Sequence, residues 1–169
     1  MRRAHRQTLR ILCATIVIVL LHLAFGGGVA GAAPGVRTQG GPVSAVANVS
    51  THQFVVSVGG QVVRTMPASM GKPGHETPLG TFQVLEKFRD MIMDSSTYGV
   101  PIDAPEGYRL NVEYAVRITW SGIFVHAAPW SVDSQGVENV SHGCINLNTE
   151  NARWFYENVR VGDTVTIVG

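Results

Sequence analysis

Gln53-Phe54-Val55-Val56-Ser57-Val58, then Gly59-Gly60, then Gln61-Val62-Val63-Arg64-Thr65-Met66 is the stretch that decides the fold class. Both flanks are rich in the β-branched and apolar side chains that favour strands, and the glycine pair between them supplies a two-residue hairpin turn. Val43 to Val49 reads as a strand beside that hairpin. Downstream, Pro67 to Thr77 (PASMGKPGHET) is turn-rich, and Pro78-Leu79-Gly80 leads into a strand over Thr81 to Lys87. Tyr114 to Thr119 and Gly122 to His126 (GIFVH) are strand-like and separated by little more than a turn, and Val161 to Val168 alternates as a closing strand. One helix is expected. Asn148 or Thr149 caps it, Glu150 sits favourably in its first turn, and Gly162 lies past its end. Ala152, Phe155, Tyr156 and Val159 fall at helical spacing and make an apolar stripe for the core. Many short strands and one late helix predict a mainly β fold. Between Asp94 and Tyr108 (DSSTYGVPIDAPEGY) turn residues dominate, and a structured excursion of that length is expected to be a lid or binding loop.

The chain has 169 residues, which suits one folded domain. Arg2, Arg3, Arg6 and Arg10 precede an apolar run from Ile11 to Phe25, and Ala30-Gly31-Ala32 offers a small-residue cleavage site. Residues 1–32 therefore read as an export signal, or, if uncleaved, as an N-terminal anchor at the outer face of the cytoplasmic membrane. Residues 33–42 (APGVRTQGGP) form a linker, and residues 43–169 the folded domain. The expected location is the periplasm or cell wall. Four arginines leave with the signal, so 13 Lys+Arg against 12 Asp+Glu becomes nine against twelve. A mildly acidic domain without a basic run argues against nucleic acid as partner.

Cys13 lies inside the signal, which leaves Cys144 as the lone thiol of an exported domain. It sits in Ser141-His142-Gly143-Cys144-Ile145-Asn146. If that segment is extended, His142 and Cys144 share a face. Gly143 leaves its own N–H and that of Cys144 open to close approach by a ligand. A thiol beside an imidazole and bare backbone donors equips a site to attack a carbonyl and stabilise the oxyanion. An inert buried cysteine is the bland alternative. A free thiol has a pKa of about 8.5, so a base must favour the thiolate. A residue two positions away on one strand points parallel to the cysteine rather than at it, so the base is assigned to His126, at the end of its own strand, and His142 takes a supporting role. His52 and His75 receive none. His126, His142 and Cys144 as zinc ligands form a weaker alternative, since no C-x-x-C or H-E-x-x-H spacing is present. No metal and no cofactor are expected.

His126, then Ala127 to Val140, then Ser141 to Asn146 resembles the signature of the L,D-transpeptidase family, whose catalytic domain is YkuD-like. Met66-Pro67-Ala68-Ser69-Met70-Gly71-Lys72, Thr77-Pro78-Leu79-Gly80-Thr81-Phe82, Met93-Asp94-Ser95-Ser96-Thr97-Tyr98-Gly99 and His126-Ala127-Ala128-Pro129-Trp130-Ser131 are similar to actinobacterial, including mycobacterial, members. The resemblance implies a mixed β-sandwich or barrel-like domain with one helix near the C-terminal end and a long lid. It also implies an acyl transfer between peptidoglycan stem peptides. The bond between the third-position diamino acid and the terminal D-Ala is attacked, D-Ala leaves, and a second stem's side-chain amine takes the acyl group. On this resemblance Cys144 is the nucleophile, His126 the base, and the Ala127 carbonyl its orienting group. Backbone N–H groups of His142, Gly143 and Cys144 form the oxyanion hole with the Tyr108 hydroxyl. Tyr98, Tyr108, Met93 and Trp130 line the stem groove, while Ser141 and Asn146 support the site. Carbapenem β-lactams are implied as acylating inhibitors. Relatives often carry serine at the position of Ala127, and immunoglobulin-like domains before the catalytic one, where this sequence has its short linker. A carboxypeptidase using water as acceptor and a non-catalytic wall-binding module are the alternatives.

Overall fold

The computed structural model describes residues 41–169; the expected signal and most of the linker lie outside the described residues. At the hairpin, Gly59 and Gly60 take φ of 57° and 82°, the left-handed values that a tight turn matching the strand twist requires. They join β2 (Gln53–Val58) to β3 (Gln61–Pro67). β1 (Val43–Asn48) pairs antiparallel with β2, and both strands alternate, sending Val43, Ala45, Ala47, Phe54, Val56 and Val58 inward. β9 (Thr164–Val168) then lies parallel to β1 and separates it from β4 (Gly80–Gln83). The first sheet is thus five-stranded, in the order β3-β2-β1-β9-β4.

The second sheet runs β5-β6-β7-β8 and holds β5 (Glu86–Asp94), β6 (Arg109–Arg117), β7 (Phe124–Ala127) and β8 (Ile145–Leu147). One expectation is corrected here. The single strand expected over Thr81 to Lys87 is divided between β4 and β5, which belong to different sheets. Val84, 1% exposed, is buried at the crossing, and the Val84 and Leu85 N–H groups bond to Asp163 and Arg117 carbonyls. Those partners lie just before β9 and at the end of β6, strands of different sheets, and no local pattern announces them.

The helix α1 (Thr149–Asn158) begins where Asn148 caps it, its side chain accepting from the Asn151 N–H at 2.8 Å. Its apolar face joins the two layers. Phe155 meets Phe54 of β2 edge-to-face at 4.9 Å, and Tyr156 meets Tyr114 of β6 at 5.7 Å. Phe155, Ala152 and Val159 are each 1% exposed, so the predicted stripe is core. Burying one such aromatic ring contributes about 2–3 kcal/mol.

Candidate active site

β7 and β8 run parallel, in a register that sets His126 directly opposite Asn146. His126 is 4% exposed. Its Nδ1 lies 2.8 Å from the Ala127 carbonyl. A carbonyl only accepts, so Nδ1 carries the proton and Nε2 is left as a proton acceptor. Burial lowers the imidazole pKa to about 4, against the opposing pull of the Ala127 bond. His126 is therefore neutral near pH 7.

Cys144 immediately precedes β8. The segment before it is not extended as expected, because Gly143 turns through a φ of 115°. That φ calls for glycine, while a Cβ there would crowd only the terminal Cδ1 of Ile123 at 2.9 Å, which can shift. The turn is tied on both sides. Thr77 Oγ1 donates to the Gly143 carbonyl at 2.8 Å and accepts the Gly71 N–H at 2.9 Å, and Ser141 Oγ donates to the Cys144 carbonyl at 2.6 Å. The Gly143 N–H is engaged by Ser141 Oγ at 3.1 Å, so one of the three backbone donors expected for an oxyanion already has an acceptor. The Cys144 S–H points to the Gly122 carbonyl at 3.7 Å. Burial pushes its pKa up to about 11, with the Phe124 backbone opposing. Thiol and imidazole are thus a neutral pair at rest.

His126 and Cys144 open into one cavity of about 320 Å³, lined also by Ser141, His142, Asn146, Met93, Tyr108 and Trp130. Trp130 stands 6.0 Å from the His126 ring. Tyr98 does not line the cavity; the residue is 54% exposed and its ring stands 6.2 Å from that of Tyr108. Burial, then the adjacent Tyr98 hydroxyl, raises the Tyr108 pKa, which keeps its hydroxyl a donor. Asn146 gives its Nδ2 to Ser131 Oγ at 3.1 Å, while its buried Oδ1 has no partner among the described residues. An unpartnered buried acceptor in a cavity wall is suited to a ligand N–H.

Residues 42–167 match the family described as L,D-transpeptidase catalytic domain, YkuD. The chain belongs to this family. It is 56% identical over 124 residues to L,D-transpeptidase 1 of Mycobacterium tuberculosis, covering 73% of this chain and 49% of that protein. It is 47% identical over 146 residues to probable L,D-transpeptidase 3 of the same organism, covering 76% and 54%. Among solved structures it resembles an L,D-transpeptidase in complex with imipenem, at TM-score 0.74 and 54% identity, over 75% of this chain and 59% of the other. It also resembles M. tuberculosis L,D-transpeptidase 3 with a faropenem-derived adduct, at TM-score 0.73 and 48% identity, over 76% and 60%. The chain spans about half the length of the curated relatives it matches. These relatives are L,D-transpeptidases, an enzyme class, and the mainly β fold expected from the sequence is theirs.

Sequence reasoning missed several features of this L,D-transpeptidase-family site. Leu110, Ser131, Ser134 and Val140 also line the cavity. Glu106, in the lid, accepts from Lys72 Nζ at 2.7 Å and lies 2.6 Å from His142 Nε2. Those two bonds, Lys72 first, hold its carboxyl at about 2. Only its position in the turn-rich excursion hinted at a role. His126, His142 and Cys144 do not form the metal-sized cluster weighed from the sequence; among the described residues that cluster is His75, Glu106 and His142.

Proposed function

We propose that the protein is an exported peptidoglycan L,D-transpeptidase, working through a cysteine thioester and needing no cofactor. The observation that carries this reading is the buried His126, fixed by the Ala127 carbonyl with Nε2 free, in one cavity with the only free thiol of the described residues. A donor tetrapeptide stem enters between Met93, Tyr108 and Trp130. Cys144 Sγ forms a bond to the carbonyl carbon of the third-position diamino acid, and the thiol proton passes to His126 Nε2. The amide C–N bond then breaks, the proton leaves on the D-Ala amine, and the acyl group stays on sulfur. A second stem's side-chain amine attacks the thioester, gives its proton to His126, and releases the thiol and a 3-3 cross-linked dimer.

The orienting bond to His126 comes from a backbone carbonyl, which alanine at position 127 provides as well as serine does. Oxyanion charge falls to the Tyr108 hydroxyl and the backbone around Cys144, and the Asn146 Oδ1 accepts a stem N–H. Removal of one oxyanion donor typically costs about 100- to 1,000-fold in turnover. Carbapenems acylate Cys144 by the same attack on a carbonyl.

Mass spectrometry of the full chain with a defined disaccharide-tetrapeptide tests the reading, with Cys144→Ala in parallel. Dimers lacking one D-Ala, absent in the variant, are expected. Tripeptide alone would make water the acceptor. Unchanged substrate, with no adduct on Cys144, would overturn the reading.

A further inference from the structure

Beside the proposed acyl-transfer site three ligand-type side chains gather, and two of them, His75 and Glu106, have no task in that reading. His75 lies in the turn-rich segment after β3, Glu106 in the lid before Tyr108, and His142 two residues before Cys144. Each offers one ligand atom, and the three atoms lie within 4.8 Å of one another. His142 Nε2 is 2.6 Å and His75 Nε2 is 3.9 Å from the same Glu106 oxygen, and the imidazole rings stand 4.7 Å apart. Zinc takes nitrogen and oxygen ligands at about 2.0–2.2 Å, which in a tetrahedron separates neighbouring donors by about 3.4 Å. The separations from the Glu106 oxygen, 2.6 and 3.9 Å, bracket that spacing. Two imidazoles and a carboxylate suit zinc-class ions, and a site with two nitrogen donors disfavours magnesium and calcium. Lys72, 2.7 Å from Glu106, is the competing cation that an ion must displace.

We propose that His75, Glu106 and His142 bind a divalent transition-metal ion of the zinc class, and that its binding shuts down the adjacent site. The three ligands are far apart in sequence, and coordination by all of them turns the existing 2.6 Å His142–Glu106 contact into a firmer staple between the lid and the segment carrying Cys144. Tyr108, two residues beyond Glu106, and His142 both line the cavity, so the staple fixes its mouth and withdraws His142 from the substrate. The inhibitory half rests on the transpeptidase reading; the binding half does not.

Calorimetry with zinc chloride on the metal-free full chain carrying Cys144→Ala tests the binding half, since that background removes the thiol as a ligand. One equivalent of zinc should bind, and magnesium should not. His75→Ala and Glu106→Gln, each added to that background, should weaken binding by about tenfold or more. Lys72→Met should bind at least as tightly. Zinc binding that vanishes in Cys144→Ala, or that His75→Ala leaves unchanged, would overturn the site. In the chain with Cys144 present, zinc should slow acylation by imipenem, as read by mass. A chelator should restore the rate, and His75→Ala should raise the inhibitory zinc concentration by the same factor as it weakens binding. Inhibition that His75→Ala does not shift would overturn the staple. The calorimetry needs no catalysis, so failure of the metal site and failure of the transpeptidase reading are told apart.

Discussion

The two sheets of this domain divide its work. The five-stranded sheet is built from a local hairpin and its neighbours, and its inward face is apolar along β1, β2 and β9. The four-stranded sheet ends in the short parallel pair β7–β8, and there the inward positions include His126 and Asn146, both buried and polar. One sheet spends its burial on stability, and the other spends part of it on holding an imidazole and a thiol in their neutral forms. Stability and chemistry should therefore separate by sheet when residues are changed.

The largest expected effect lies in the second sheet. Cys144→Ala should lower turnover by about 10⁴-fold or more, equivalent to about 5 kcal/mol of barrier. Its free energy of unfolding in urea should change by less than about 1 kcal/mol. A large loss of stability would mean that the cysteine is also core, and the division would blur. Phe155→Ala is the mirror case. The ring bridges α1 and β2, so its removal should cost about 3–5 kcal/mol of stability while the fraction still folded keeps its kcat. A collapse of kcat in folded protein would show that the first sheet also tunes the site.

The third effect is set by pH. His126 titrates near 4 in the native state and near 6.5 when unfolded, so the unfolded chain binds a proton that the native chain refuses. Stability from this group is intact above about pH 6.5, falls as pH drops toward 4, and falls no further below. The loss is about 3 kcal/mol. Urea unfolding between pH 7 and 4 should show this slope in the parent and lose it in His126→Gln. An unchanged slope would mean that the second sheet carries no such strain. The smallest effect is Asn148→Ala, which removes the α1 cap; thermal or urea unfolding should show a loss of about 1 kcal/mol without a change in kcat/KM.

The same contrast explains what was legible in the sequence. The Gly59-Gly60 turn, the strands around it and the Asn148 cap depend on neighbours a few residues away, and local chemistry reveals them. The division of Thr81–Lys87 into β4 and β5 depends on Asp163 and Arg117, which periodicity cannot reach. Cys144 and His126 stood out as chemistry-bearing residues in short motifs. The neutral state of the pair did not, because it comes from burial contributed by the whole domain. Gly143 signalled a special backbone, but the turn it makes is closed by Thr77, 66 residues away. Glu106 and His75 meet His142 only because the lid folds back over it.

A thiol with a pKa near 11 is almost entirely protonated at pH 7, with about one molecule in 10⁴ carrying the thiolate. Peroxides and alkylating agents react with the thiolate, so the raised pKa lowers the reactivity of this half-buried cysteine toward them. Among the described residues Cys144 is the one cysteine, and no disulfide partner shelters it. On the transpeptidase reading proposed above, its protection is the proton itself, passed to His126 Nε2 when an acyl donor is bound. A substitution that eased ionisation of Cys144 is then expected to raise its reactivity toward oxidants as well as toward acyl donors.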